Sequence, residues 1–165
     1  MATATSKSFT CRVVTPAEQL LDETVNYASI PVWDGLMGVL PGRAPIVARL
    51  GIGELKLDLP DAARGVNASR SFFVNGGFMQ MQGDTLIILA EDAQPAEELS
   101  ESEAQAELAE AEARKVSPDS TDKAAEADRL RAGDPEAAAE AVRRAARDAA
   151  RWKVRLAKQS KSRGI

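Results

Sequence analysis

No histidine occurs among the 165 residues, and cysteine occurs once, at Cys11. Without imidazole the chain cannot build a Ser–His–Asp or Cys–His nucleophile, nor the commonest zinc sites. A lone thiol cannot form an internal disulfide framework. Aromatic residues make up 4% of the chain and its net charge is −4, which leaves neither the stacking platform nor the basic surface of a nucleic-acid binder. No apolar run approaches the roughly 20 residues that span a bilayer, so direct membrane insertion is not expected. The polar start, Met1 to Thr10, carries no apolar signal stretch; a cytosolic chain is expected, one that can sit peripherally on a membrane complex. Carboxylates and lysines remain for acid–base or Mg²⁺ chemistry, but the absences together point away from catalysis. No metal or cofactor site is expected.

What is present is unevenly spread. Residues 1–90 hold seven Lys/Arg against eight Asp/Glu, residues 91–132 five against thirteen, and residues 133–165 nine against four. A near-neutral body, an acidic arm and a basic end are three differently used surfaces. The length suits one domain, or one compact domain with an appendage.

Up to about Ala90 the pattern is that of strands. Phe9–Val14 alternates, with Phe9, Cys11 and Val13 on one face, so Cys11 reads as a small core residue rather than a nucleophile. Thr24–Val32, Ile46–Leu50 and Glu54–Leu59 are further runs. Ser71–Val74 and Phe78–Met81 flank Asn75-Gly76-Gly77, and Gln82-Gly83-Asp84 marks a hairpin turn inside Met79–Leu89. Short strands punctuated by glycine and proline predict an antiparallel β-sandwich or flattened barrel over residues 1–93.

From Pro95 the composition turns to Ala, Glu and Arg, the strongest helix formers. Ser100-x-x-Glu103 has the form of a capping box, and Ser117-Pro118 and Gly133-Asp134-Pro135 place a cap residue ahead of a proline suited to a first turn. Helices are predicted near 96–115, 118–132 and 135–160, the middle one with a weak apolar face that also suits a linker. Ala138, Val142, Ala145, Ala149, Trp152 and Leu156 form one narrow seam; Leu99, Ser102, Ala106, Ala109, Ala113 and Val116 form another. Two such seams predict a close-packed but weakly held helical hairpin, giving an α+β chain: a sandwich followed by a helical tail over 94–165.

The richest stretch runs from Pro31 to Pro45. It turns tightly while presenting Trp33, Leu36 and Met37, and it lacks the GxxxxGK[ST] pattern of a phosphate cradle. Its bland reading is ordinary hairpin turns; its sharper reading is a contact surface, because large apolar residues in a glycine loop are costly unless covered. In the tail, Arg143, Arg147, Arg151 and Arg155 recur every four residues, supplemented by Arg144, Lys153 and Lys158. Like charges at that spacing repel, by roughly 0.2–0.5 kcal/mol per pair. The Glu-rich first helix, solvent, or an acidic surface elsewhere can offset the cost.

The Pro31–Pro45 segment resembles the epsilon subunit of F-type ATP synthases, whose pattern is approximately P-x-x-D/E-G-x-x-G-V-L-P-G-H-A-P. Asp34-Gly35, Gly38-Val39-Leu40-Pro41-Gly42 and Ala44-Pro45 match in order. So do Val13-x-x-Pro16, Phe73-Val74-x-Gly76-Gly77-Phe78 and Thr85-Leu86-Ile87-Ile88-Leu89-Ala90, covering residues 9 to about 93. Two departures stand out. Arg43 replaces the usual histidine, and Leu99-Ser100-x-x-Glu103-Ala104 lacks the Asp and Arg of the I/L-D-x-x-R-A motif, which puts ATP binding in doubt.

The resemblance implies a non-catalytic central-stalk subunit of a proton-translocating F-type ATP synthase, peripheral at the cytoplasmic face of a bacterial inner membrane. It implies contact with the gamma subunit and the membrane rotor ring through Val32, Trp33, Asp34, Gly35, Leu36, Met37 and Arg43. The tail, through Arg143, Arg144, Arg147, Arg151 and Arg155, would reach the alpha/beta catalytic head as a brake on hydrolysis. Two rival readings stand beside it: a free-standing ligand-binding sandwich that oligomerises through its tail, and an enzyme using Asp34 and Asp84 as paired carboxylates.

Overall fold

The computed structural model describes residues 8–60, 69–113, 131, 133 and 135–163. Among these residues eight strands precede the tail: β1 (Phe9–Val14), β2 (Gln19–Val25), β3 (Tyr27–Val32), β4 (Gly35–Val39), β5 (Ile46–Arg49), β6 (Ile52–Asp58), β7 (Ser69–Gln82) and β8 (Thr85–Pro95). They pair in the order β2-β1-β8-β7-β6-β3-β4, with β5 also on β7, and the sheet does not close into a barrel. All pairs are antiparallel except β1 with β8, which run parallel from Thr10↔Thr85 to Val14↔Leu89.

The expected alternation of β1 holds: Phe9, Cys11 and Val13 are buried. The run expected over Thr24–Val32 is two strands, broken at Asn26, whose N–H donates to the Asp58 carbonyl at 2.7 Å. Ser71–Val74 and Phe78–Met81, expected as separate strands, belong to the single strand β7. Gly76 and Gly77 take φ of +69° and +107° without shifting its register on β8. Across from them β5 and β6 meet end to end: the Leu50 N–H donates to the Gly77 carbonyl at 2.9 Å and the Gly76 N–H to the Gly51 carbonyl at 3.2 Å. Left-handed backbone at this point is open to glycine and nearly closed to other residues. The bend lets one continuous sheet fold over into two layers around a core that includes Ile30, Leu55, Leu57, Phe72, Met79 and Leu86.

β8 continues to Pro95, opposite Phe72, so the boundary expected at 93/94 falls inside a strand. A 3-10 turn at Ala96–Glu98 leads into α1 (Glu101–Ala113), and α2 spans Pro135–Arg163. The Ala104 N–H donates to the Ser100 carbonyl at 3.0 Å, making Ser100 the N-cap position. The helix expected over 118–132 lies outside the described residues except for Arg131.

The seams differ from those expected. On α1 the buried residues are Ala104 and Ala111, with Leu108 half-buried between them, while Ser102, Ala106, Ala109 and Ala113 are exposed. Glu and Ala alternate almost evenly along this helix, so no apolar stripe marks its inner face; Leu108, with the largest apolar side chain, sets it. On α2, Ala149 and Leu156 are buried and Trp152 half-buried as expected, but Ala138, Val142 and Ala145 are exposed. At 1.5 Å per residue α1 reaches about 20 Å and α2 about 43 Å, so α1 flanks only part of its partner.

The tail rests on the sandwich. Phe73 points outward from β7, opposite in sense to the core residues Phe72 and Val74, and is covered by Ala96, Ala149 and Leu156, with Ile52, Leu99 and Trp152 around them. An apolar patch that the sheet alone leaves open is thereby removed from water, at about 25 cal/mol per Å².

Candidate functional site

The β3–β4 hairpin carries the glycine-rich motif. Its base is fixed in the core by Val32 and Val39, paired across the ladder through Ala28↔Val39 and Val32↔Gly35. Val32, expected among the contact residues, is therefore an inward-facing anchor, and Met37 is half-buried against the core. Trp33-Asp34 forms the exposed tip, followed by Gly35 and Leu36; Trp33 and Leu36 are 71% and 73% exposed. Arg43 is also exposed, in the turn that follows β4. The backbone beneath the tip is tied down: the Trp33 N–H donates to the Arg49 carbonyl at 3.2 Å and the Gly51 N–H to the Pro31 carbonyl at 3.0 Å. A side chain on Gly51 would meet the Val32 carbonyl oxygen at 2.8 Å, so this close approach requires glycine.

Trp33 and Leu36 face α2. With Pro31, Trp152, Arg155 and Lys56 they line a cleft of about 600 Å³ between sandwich and tail. The hairpin tip and the tail are thus neighbours, a juxtaposition the sequence pattern did not indicate.

A second exposed apolar group escaped sequence reasoning. Phe78 pairs with Leu89 across β7 and β8 and with Arg49 on β5, and Val47 stands two residues from Arg49. Phe78, Leu89 and Val47 are each more than half exposed. Only the strand register brings them together.

The arginine series meets several environments. Arg151 pairs with Glu112 of α1 at 3.2 Å, Arg144 lies 3.7 Å from Glu140, Arg147 lies 3.8 Å from Asp148, and the Arg155 guanidinium stands 4.9 Å over the Trp152 ring. The Arg143 Nε is buried with no hydrogen-bond partner among the described residues. Lys153 and Lys161 reach Glu107 and Glu101 of α1 at 3.1 and 3.9 Å. The acidic and basic helices thus offset one another's charge in this folded state.

Asp34 and Asp84 do not form a carboxylate pair. Asp34 tips the β3–β4 hairpin beside Trp33, which lines a recess with Gly51 and Gly76, whereas Asp84 lies past the end of β7, about 26 Å along the strand from Gly76 at 3.3 Å per residue. Burial, then the nearby Asp22 carboxylate, pushes the Cys11 thiol up to about 12, the state of an inert core residue. Among the described residues no group of acidic, histidine or cysteine side chains could hold a metal ion, and no helix is long and apolar enough to cross a membrane.

Residues 8–96 match the family described as ATP synthase, Delta/Epsilon chain, beta-sandwich domain. The chain belongs to the ATP synthase epsilon chain family. An epsilon chain of Rhodopirellula baltica is 39% identical over 104 residues, covering 63% of this chain and 77% of that one. An epsilon chain of Granulibacter bethesdensis is 34% identical over 110 residues, covering 67% and 78%. Among solved structures, a chain of the Euglena gracilis mitochondrial ATP synthase, seen as an OSCP/F1/c-ring assembly, superposes with a TM-score of 0.57 at 26% identity, covering 72% and 71%. Membership in the epsilon family makes this a non-catalytic subunit of the ATP synthase and supports the stalk reading over the free-standing ligand module.

Proposed function

We propose that the chain transmits torque in the central stalk by rigid contact, docking through the β3–β4 tip on the membrane rotor ring and through the outer face of β5, β7 and β8 on the gamma subunit. Trp33, Asp34, Gly35, Leu36 and Arg43 make the ring contact, while Val32 and Met37 hold the hairpin against the core. Val47, Phe78 and Leu89 present the apolar patch toward gamma. The carrying observation is that Trp33 and Leu36 are more than two-thirds exposed on a hairpin whose base is buried. An exposed apolar tip on a stiff mount is what a force-bearing contact needs, since a mobile loop would absorb the displacement. The chain then sits peripherally at the cytoplasmic face of a bacterial inner membrane.

The tail works as a brake. Folded, its two helices satisfy each other; extended, α2 carries Arg143, Arg144, Arg147, Arg151 and Arg155 toward an acidic segment of the alpha/beta head. Two states a few kcal/mol apart are what such a switch requires, and seams built largely of alanine keep the gap small. The recess at the start of α1 measures about 150 Å³ and is lined by Glu98, Glu103 and Glu107 with Lys153, so carboxylates outnumber the one cation that could meet a polyphosphate.

The docking half is tested by reconstituting the complex with W33A/L36E. ATP-driven ion pumping is expected to fall while hydrolysis by the head persists; full coupling with this variant overturns the assignment of the hairpin.

A further inference from the structure

Besides the apolar cover of Phe73, one contact between tail and sandwich is made by a lysine outside the arginine series. Lys153 is 13% exposed, and its Nζ lies 3.1 Å from Glu107 of α1 and 3.9 Å from Asp92 of β8. The same ammonium stands 5.4 Å from the centre of the Phe73 ring on β7. Three separate elements therefore converge on one charge. Glu98 and Glu103 line the same recess, so Lys153 also supplies positive charge to a pocket walled by carboxylates. Arg151, by contrast, is half exposed and reaches Glu112 near the far end of α1.

We infer that Lys153 is the positioning residue that latches the folded tail, joining α2 to α1 and to the sandwich at once. Three features support this. Its charge is partly desolvated, which strengthens both the ion pairs and the attraction of the ring face. Its ammonium stands over the Phe73 ring, so it contributes a cation–π contact as well as ion pairs. Loss of the charge also deprives Asp92, Glu107 and, in the same recess, Glu98 and Glu103 of the cation they share, so α1 is repelled as well as released. Asp92 and Glu107 are each about half exposed and return to water when the latch opens, so no stranded charge blocks opening. The inference rests on the tail being a two-state element, as proposed above, but not on what the open state touches.

The test uses the full isolated chain with spin labels on thiols introduced by Gln80→Cys in β7 and Lys158→Cys in α2; Cys11 is buried and takes no label. Lys153→Met keeps a long unbranched side chain and removes the charge. Its open population is expected to rise roughly three- to tenfold, with Asp92→Asn and Glu107→Gln giving smaller increases. Melting of the sandwich should be unchanged, since Lys153 lies outside its core. A distance distribution for Lys153→Met that matches the parent overturns the latch, as does equal opening by Arg151→Met. The brake is read separately, as hydrolysis by the reconstituted complex. If Lys153→Met opens the tail and hydrolysis stays constant, the brake fails and the latch stands. If a tail truncation raises hydrolysis while Lys153→Met stays closed, the latch fails and the brake stands.

Discussion

Three glycines offer a graded test of how the sandwich is built. At Gly83, in the β7–β8 turn, φ is +58° and a Cβ would meet nothing within 4 Å. At Gly76, φ is +69° and the added carbon would lie 3.0 Å from the Glu91 carboxylate, which can swing aside. At Gly77, φ is +107° and the carbon would lie 2.0 Å from the Leu89 carbonyl oxygen and 2.9 Å from the Ala90 Cα, both backbone. Holding alanine in left-handed backbone costs about 1–2 kcal/mol, so G83A and G76A should each lose about that much. G77A adds a backbone overlap that requires β7 and β8 to separate by about 1 Å, weakening neighbouring ladder hydrogen bonds that contribute about 1 kcal/mol each. The total is about 4 kcal/mol or more, a large share of a small domain's stability. Urea titration at constant m-value reads the difference directly. If G77A falls within about 1 kcal/mol of G83A, β7 does not run continuously through this point and the account of the fold-over is wrong.

Cys11 is expected to resist thiol reagents at neutral pH and to react once the chain is unfolded in urea. Burial raises its native pKa to about 12 from the ordinary thiol value of 9.0, so above pH 9 the unfolded thiol ionises while the native one does not. Stability should therefore fall as pH rises toward 12, and Cys11→Ala should flatten that slope. Truncation after Ser100, which leaves β8 whole, should raise hydrolysis by the reconstituted complex; unchanged hydrolysis sinks the brake without touching the stalk assignment.

The sandwich was legible where period and punctuation agree. β1 carries a strict two-residue alternation, and Gln82-Gly83-Asp84 is followed at once by β8. Legibility failed at Asn75-Gly76-Gly77 for a physical reason: glycines that bend a continuous strand look in sequence like glycines that end one. It failed again on α1, where alanine and glutamate leave no stripe to mark an inner face. Trp33 and Leu36 are readable as costly apolar residues in a glycine loop, but nothing in the motif separates them from Val32, whose side chain anchors the hairpin. Val47, Phe78 and Leu89 are far apart in sequence, so only the ladder register reveals their patch. Lys153 was hidden by its surroundings, one cation in a basic helix whose particular role depends on Phe73 and Asp92 being underneath.

Mechanical coupling requires that this chain bind its stalk neighbour through a defined face. The direct measurement is co-purification of the full chain with the gamma subunit, comparing the parent with V47D/F78D. Both substitutions fall on exposed positions and spare the core. The parent is expected to elute with gamma in a stoichiometric complex and the double variant to elute alone, still folded. A parent chain that ignores gamma, or a double variant that binds it equally well, contradicts the account.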